Sequence, residues 1–203
     1  MTTSAPPSDR ALARRQQVLD AAAECFRRRG FHAASMAEIA KTAGMSPGHI
    51  YNLFENKDDI IAAIVEQDCE DVLARIAEFQ QGGALLEQML AHTEEAIDEH
   101  SEVSEAALQM EVLAEASRNA KLATVVQRSE ALVHEKAQAL IRQSLGDEAA
   151  SRLPPDEILG RALLLGALFN GLTVLGVRNP AMPQRTAAMA PVMRRVLQVL
   201  LAP

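Results

Sequence analysis

Tryptophan is missing from this chain, and one tyrosine and five phenylalanines are the only other aromatics in 203 residues. Sheets are built from β-branched and aromatic side chains in period-two alternation. No such alternation occurs, which excludes a β fold. The two cysteines, Cys25 and Cys69, have no metal-like spacing and no partner motif, so a reduced, buried pair is expected. No nucleophile elbow, metal-ligand spacing or phosphate loop is present, and the acidic residues fall on solvated helix faces. These absences argue against an enzyme, and no cofactor or metal is implied. The first 20 residues are polar, with Pro6, Pro7, Arg10, Arg14 and Arg15 and no apolar core. No signal peptide is read there, and a cytoplasmic protein is expected. Residues 162–177 (ALLLGALFNGLTVLGV) carry no charge, but 16 residues span roughly 24 Å as a helix. That is short of a bilayer core of about 30 Å. The stretch also holds Asn170 and Thr173, so a helix buried within the protein, or between two copies, is expected and no membrane.

What the chain has in abundance is Ala, Leu, Glu, Gln and Arg, all good helix formers. The net charge of −7 is unevenly spread. Residues 1–57 carry eight Lys/Arg against five Asp/Glu, net +3; residues 58–203 carry twelve against twenty-two, net −10. A basic head on an acidic body suits a protein that sets one end on phosphate and keeps the other away from it.

Helical periodicity and capping signals give an all-α fold of about nine helices. Residues 1–8 read as a disordered tail. A first helix at 9–29 ends at Gly30. Ser35 to Glu38 reads as a capping box opening a second helix; Gly44 supplies a turn; Ser46 and Pro47 open a third. Asn56 caps a long fourth helix to about residue 80, which Gly82-Gly83 breaks. A continuous rod here would transmit movements of the body to the head. Further helices are expected near 84–99, 102–117, 120–145, 156–177 and 185–201, with Pro191 either kinking or starting the last.

Residues 35–57 (SMAEIAKTAGMSPGHIYNLFENK) thus hold two short helices joined by a tight turn. An α-helix fits the DNA major groove, and in a helix-turn-helix the second helix sets its first residues on base edges. Here those are Ser46, Pro47, Gly48 and His49. The small residues let the helix enter deeply, and His49 offers ring donors and acceptors. Tyr51 and Asn52 reach phosphates or an adjacent base, while Ile50, Leu53 and Phe54 hold the helix to its core. Lys57 opposes the dipole of the fourth helix at its start, a mild cost that makes sense if phosphate binds there; Asp58 and Asp59 otherwise simply offset it. Arg10, Arg14 and Arg15 form either an arm to DNA or a solvated helix face.

Residues 15–66, including GFHAASMAEIAKTAGMSPGHIYNLFENKDDIIAAIVE, resemble the DNA-binding head of TetR/AcrR-family transcriptional regulators. The matches in order are a helix-1 aromatic with Gly30-Phe31, the I-A-x-x-A-G turn, S-P-G-x-I-Y-x-x-F, and N-K. The resemblance implies a three-helix head (9–56) and a helical domain for effector binding and dimerisation (57–203), entered through a linking fourth helix. It implies release from DNA by a small effector, with repression the usual output. Tyr51 and Lys57 match the family's phosphate-contacting Tyr and Lys. Ser46, Pro47, Gly48 and His49 fall where members contact bases or backbone, and Ser35 falls at a helix start that often touches phosphate. Met36 and Ala37 stand where some members carry polar base readers, so the second helix is expected to read little sequence.

In the body, Met89, His92, Met110, Glu111, Leu113, Leu168, Phe169 and Asn170 are the effector-site candidates if the family architecture holds. A buried Asn170 amide must find a partner, in a ligand, another helix or a second copy; Glu111 pairs either a cationic ligand or an Arg such as Arg118 or Arg128. Only Phe79 and Phe169 remain for the body, which favours an aliphatic pocket over an aromatic cage. The helix at 156–177 is apolar nearly all round, with Gly166, Ala167, Gly171 and Gly176 permitting close approach. Packing with the last helix against a second copy would bury it, so a homodimer through 156–177 and 185–201 is expected. Two-fold symmetry then implies a palindromic operator as the double-stranded DNA partner. An activator or a helical protein-interaction module are the alternatives.

Overall fold

The computed structural model describes residues 9–82, 84–154, 156–179 and 181–202. The tail at 1–8, together with Gly83, Pro155, Pro180 and Pro203, lies outside the described residues. Among those residues the chain is all α: eleven α-helices, one 3₁₀ turn (Met182–Arg185) and no strand. The helices are α1 (Asp9–Ala33), α2 (Met36–Thr42), α3 (Pro47–Tyr51), α4 (Lys57–Gln81), α5 (Leu85–Ala91) and α6 (Thr93–His100). They continue as α7 (Val103–Ala116), α8 (Ala120–Leu145), α9 (Asp147–Arg152), α10 (Glu157–Arg178) and α11 (Thr186–Leu201).

Eleven helices replace the nine expected. The 84–99 segment divides at His92, where the Thr93 hydroxyl donates to Met89 O and Leu90 O (2.8 and 3.0 Å), and α9 is an added short helix. Pro191 lies inside α11, which begins five residues earlier.

The chain divides into two compact units, 1–67 with 108–126, and 68–107 with 127–203. In the first, one face of α1 buries Val18, Leu19, Ala22 and Phe26 against Ile39 of α2, Ile50 of α3 and Ile60 and Ile61 of α4. Each large aliphatic or aromatic side chain buried in this way contributes about 1.5–3 kcal/mol. Leu108 and Val112 of α7 and Leu122 of α8 complete this core. Cys25 is free and buried beside the Thr42 hydroxyl (3.4 Å).

The second unit packs Leu85, Ile97, Leu140, Ile141, Ile158, Leu172, Met193 and Leu197 into its own core. Here α10 is 22 residues long, about 33 Å, and is long and apolar enough to cross a membrane by length and composition. The uncharged stretch understated its length, because Glu157, Arg161 and Arg178 all lie within the helix. The chain itself satisfies Arg161: it donates to Ala202 O (2.7 Å) and Leu200 O (3.3 Å) and pairs with Glu157 (3.0 Å). Only one side of α10 is buried in the chain, through Ile158, Ala162, Leu172, Thr173 and Gly176. Its other side exposes Leu159, Leu163, Leu164, Val174, Leu175 and Val177, and α11 exposes Val192, Val196 and Val199. Asn170, expected to be buried, is exposed. His100 donates through Nδ1 to Ala96 O (2.8 Å) and lies against the Phe169 ring (4.7 Å between centroids). Burial lowers its pKa below 6.5, outweighing the bond to Ala96.

Candidate nucleic-acid interface

The helix-turn-helix is built by local capping. The Ser35 hydroxyl accepts from Glu38 N (3.2 Å), opening α2. The Glu38 carboxylate does not close the expected capping box on Ser35; it pairs with Arg29 (3.0 Å) and Arg28 (3.2 Å) of α1. At the far end Gly44 takes φ 64, and Met45 N reaches back to Ala40 O (2.9 Å). This is a Schellman stop, which needs a left-handed residue where Gly44 stands. Ser46 occupies the N-cap of α3 without a side-chain cap bond. Its carbonyl accepts from His49 N (3.0 Å), and Pro47 fills the first turn.

Exposure divides α3 and its flanking residues into two faces. Ile50 is buried, and Phe54 just beyond it is too. Ser46, Pro47, Gly48, Tyr51 and Asn52 are exposed, Tyr51 at 55%. An aromatic ring held that far into solvent on a short helix is positioned to meet something. His49 is half-buried because Arg14 of α1 lies on it, NH1 to Nε2 at 2.7 Å. Its neighbour Arg15 stacks over the Phe54 ring (5.1 Å), and Gln17 donates to Ala43 O (2.7 Å). Three side chains of α1 therefore brace the turn and the exposed helix. The Arg14 contact was not legible beforehand; charge alone does not say which of Arg10, Arg14 and Arg15 meets α3.

Asn56 caps α4, its side-chain Oδ1 accepting from Asp59 N (3.0 Å). Lys57 has a role that the sequence did not suggest. Its ammonium donates to Phe31 O (2.6 Å), Ala34 O (2.6 Å) and His32 O (3.2 Å) and lies 4.7 Å over the Phe31 ring. An ammonium has three protons, and here all three are engaged on the connection between α1 and α2.

That connection is held from its other side by α7. Gly30 takes φ 78 and ψ 161, which breaks α1 and frees Phe31 N to donate to Glu111 Oε2 (2.8 Å). One turn on, the Glu115 carboxylate lies 3.2 Å from His32 and 3.5 Å from Arg118. Glu111, proposed from sequence for an effector, is thus a cap on the head's own backbone.

The other effector candidates are scattered. Met110, Glu111 and Leu113 belong to the first unit, with Leu113 exposed. In the second, Met89, Leu168 and Phe169 pack partly against the core, while His92 and Asn170 are exposed. The eight candidates are thus divided between the two units. The second unit has a cleft of about 240 Å³ between Phe79, Gln80, Ala84, Leu85, Leu140, Gln143 and Ser144.

A capped helix, a left-handed turn and a short braced helix with an outward polar face, at the basic end of an all-α chain, define a helix-turn-helix regulator. The chain belongs to the TetR family of transcriptional regulators. Residues 18–64 match the family model for bacterial regulatory proteins of the tetR family, and residues 83–202 match that for the C-terminal part of BetI-type transcriptional repressors. It is 34% identical over 139 residues to the HTH-type transcriptional regulator UidR of Escherichia coli K12, covering 66% of this chain and 65% of UidR. The chain thus spans just under two thirds of that relative's length. Among solved structures, Salmonella enterica GusR superposes with TM-score 0.77 at 27% identity, covering 97% of this chain and 98% of GusR. FadR of Bacillus subtilis, solved with stearoyl-CoA, superposes with TM-score 0.70 at 19% identity, covering 92% and 97%, and so shares the fold.

Proposed function

We propose that this chain is a homodimeric, cytoplasmic repressor that holds a palindromic operator and releases it when a small, largely aliphatic effector enters its C-terminal body. The single observation that carries the DNA reading is the outward face of α3, where Ser46, Pro47, Gly48, Tyr51 and Asn52 stand exposed on a helix whose opposite side is locked into the core. In this reading Ser46 to His49 meet base edges. Tyr51, Asn52 and Ser35 meet phosphates. Lys57 acts as a structural clamp beside them. Residues 9–56 do the reading, and 57–203 carry effector binding and dimerisation.

The exposed apolar sides of α10 and α11 support a second copy as their cover, since isolated soluble chains rarely leave such a strip in water. The aliphatic character of the second core, with Phe79 and Phe169 its only aromatics, supports an aliphatic effector. FadR, of the same fold, holds stearoyl-CoA. Met89, Leu168 and Phe169, partly buried against the second core, stay as effector contacts in this reading; His92 and Asn170, which are exposed, and Met110, Glu111 and Leu113, which belong to the first unit, do not.

A mobility-shift titration on the DNA upstream of the protein's own gene tests the proposal. Wild type is expected to retard it, and Tyr51→Ala to bind every duplex more weakly with the slope of log affinity against log salt unchanged, because a phenol carries no charge. Equal retardation of unrelated duplexes by wild type and Tyr51→Ala sinks it. Native mass spectrometry of the purified protein reads out a co-purified effector.

A further inference from the structure

We infer that Arg14 is a specificity-determining partner of His49, and that the two together read guanine. The inference rests on α3 being the groove helix. Arg14 NH1 lies 2.7 Å from His49 Nε2. A guanidinium has five N–H donors and no acceptor, so Nε2 must supply the lone pair, and the single ring proton sits on Nδ1. An imidazole that would otherwise choose between two tautomers is set from α1.

The mounting is firm. Gln17 and Val18, one turn beyond Arg14 on α1, are fixed by the bond to Ala43 O and by burial. Ile50, next to His49, is fully buried. Both partners are half-buried, while Pro47, Gly48 and Tyr51 of α3 are exposed.

The outward chemistry of such a pair consists of donors only: the Nδ1–H of His49 and the remaining N–H groups of Arg14. Guanine is the base whose major-groove edge sets two acceptors, O6 and N7, side by side. Adenine sets a donor beside its acceptor, cytosine presents a donor, and thymine has one acceptor beside a methyl group. A second donor array therefore discriminates for guanine over all three.

The test uses the full-length protein. Wild type and Arg14 variants each select from a randomised duplex pool, and the enriched duplexes are then titrated individually. Wild type is expected to fix a guanine once per half-site. Arg14→Ala should relax that position alone, by roughly five- to tenfold, with the salt slope unchanged. Arg14→Lys, another donor without an acceptor, should restore the preference. Long-range proton–nitrogen correlations of the His49 ring should place its proton on Nδ1 in wild type and move it in Arg14→Ala.

Weakening of all sequences alike by Arg14→Ala, with a slope lower by about one, would make Arg14 a phosphate contact and overturn the inference. A wild-type ring protonated on Nε2, or a selected site whose Arg14-sensitive base is not guanine, overturns it as well. Failure of wild type to enrich any sequence overturns it together with the groove reading of α3, an outcome the ring spectrum separates from the others.

Discussion

Lys57 directs its ammonium at three main-chain carbonyls, and that arrangement decides what its removal does. Lys57→Ala leaves Phe31 O, His32 O and Ala34 O without their donor at the entry to α2. Hydrogen bonds from a charged group contribute about 1.5–3 kcal/mol, and Lys57 is only half-buried, so a loss near the lower end is expected in urea unfolding. The salt slope of DNA binding should stay that of wild type; a slope lower by about one with unchanged stability would return Lys57 to the phosphate list. His100 gives a pH signature instead. Burial against Phe169 lowers its folded pKa below the unfolded 6.5, so the unfolded state binds the proton first on acidification. Stability contributed by the neutral ring is therefore full above pH 6.5 and is lost as pH falls from there through the folded pKa. Urea unfolding at stepped pH checks this: His100→Gln should flatten that part of the curve, and a variant curve parallel to wild type would remove His100 as the cause.

Among the elements, the segment from Gly30 to Ala34 carries the most unforeseen structure. The local features of the head were legible: Gly30 as the stop of α1, Ser35 as a cap, Gly44 as a left-handed turn and Asn56 as a cap all act within a few residues, where side-chain chemistry specifies its own partner. The anomaly of Lys57 was visible too, as a cation at a helix start, but its carbonyl partners lie 23–26 residues upstream. Periodicity cannot name such partners. The Glu111 cap on Phe31 N, 80 residues away, was beyond reach for the same reason, and a carboxylate on α7 was indistinguishable from an effector ligand. The division at His92 escaped notice because Thr93 satisfies the preceding carbonyls with a hydroxyl that could equally face water. Glu111→Ala removes the acceptor from a part-buried N–H, which costs about 1–3 kcal/mol; Glu111→Gln, which keeps an acceptor oxygen, should recover most of it in thermal unfolding. Gly176 offers a sharper contrast within the second unit. A Cβ there would overlap the Ser101 carbonyl, whereas at Gly160 it would meet nothing within 4 Å. Gly176→Ala is expected to destabilise by about 1–3 kcal/mol, as overpacking does, while Gly160→Ala gains or loses less than about 1 kcal/mol. Equal effects of the two in the same melt would show that α10 is not held against α6 there.

For the molecule as a whole, the outward strip of α10 and α11 determines whether one copy can act alone. Leu164 is 61% exposed and Val199 76% exposed, beside Leu163, Val174, Val192 and Val196. None of the six is in the second core, which is built from the opposite sides of the same helices. Replacing exposed residues typically changes folding stability by less than about 0.5 kcal/mol, so a Leu164→Glu, Val199→Glu double variant should keep the helical circular dichroism of wild type. Placed across a two-fold interface, however, each new carboxylate would lose its water and meet apolar side chains of the other copy. Sedimentation at micromolar protein should therefore give the wild-type chain twice the mass of the double variant. The consequence for DNA follows from linkage of the two heads. A dimer engages two half-sites with one loss of translational freedom, whereas a monomer contacts half the phosphates and gains nothing from the second site. The double variant should bind a two-half-site duplex no better than a single half-site, with roughly half the salt slope. A double variant that sediments and binds like wild type would mean that this strip is not where the copies meet.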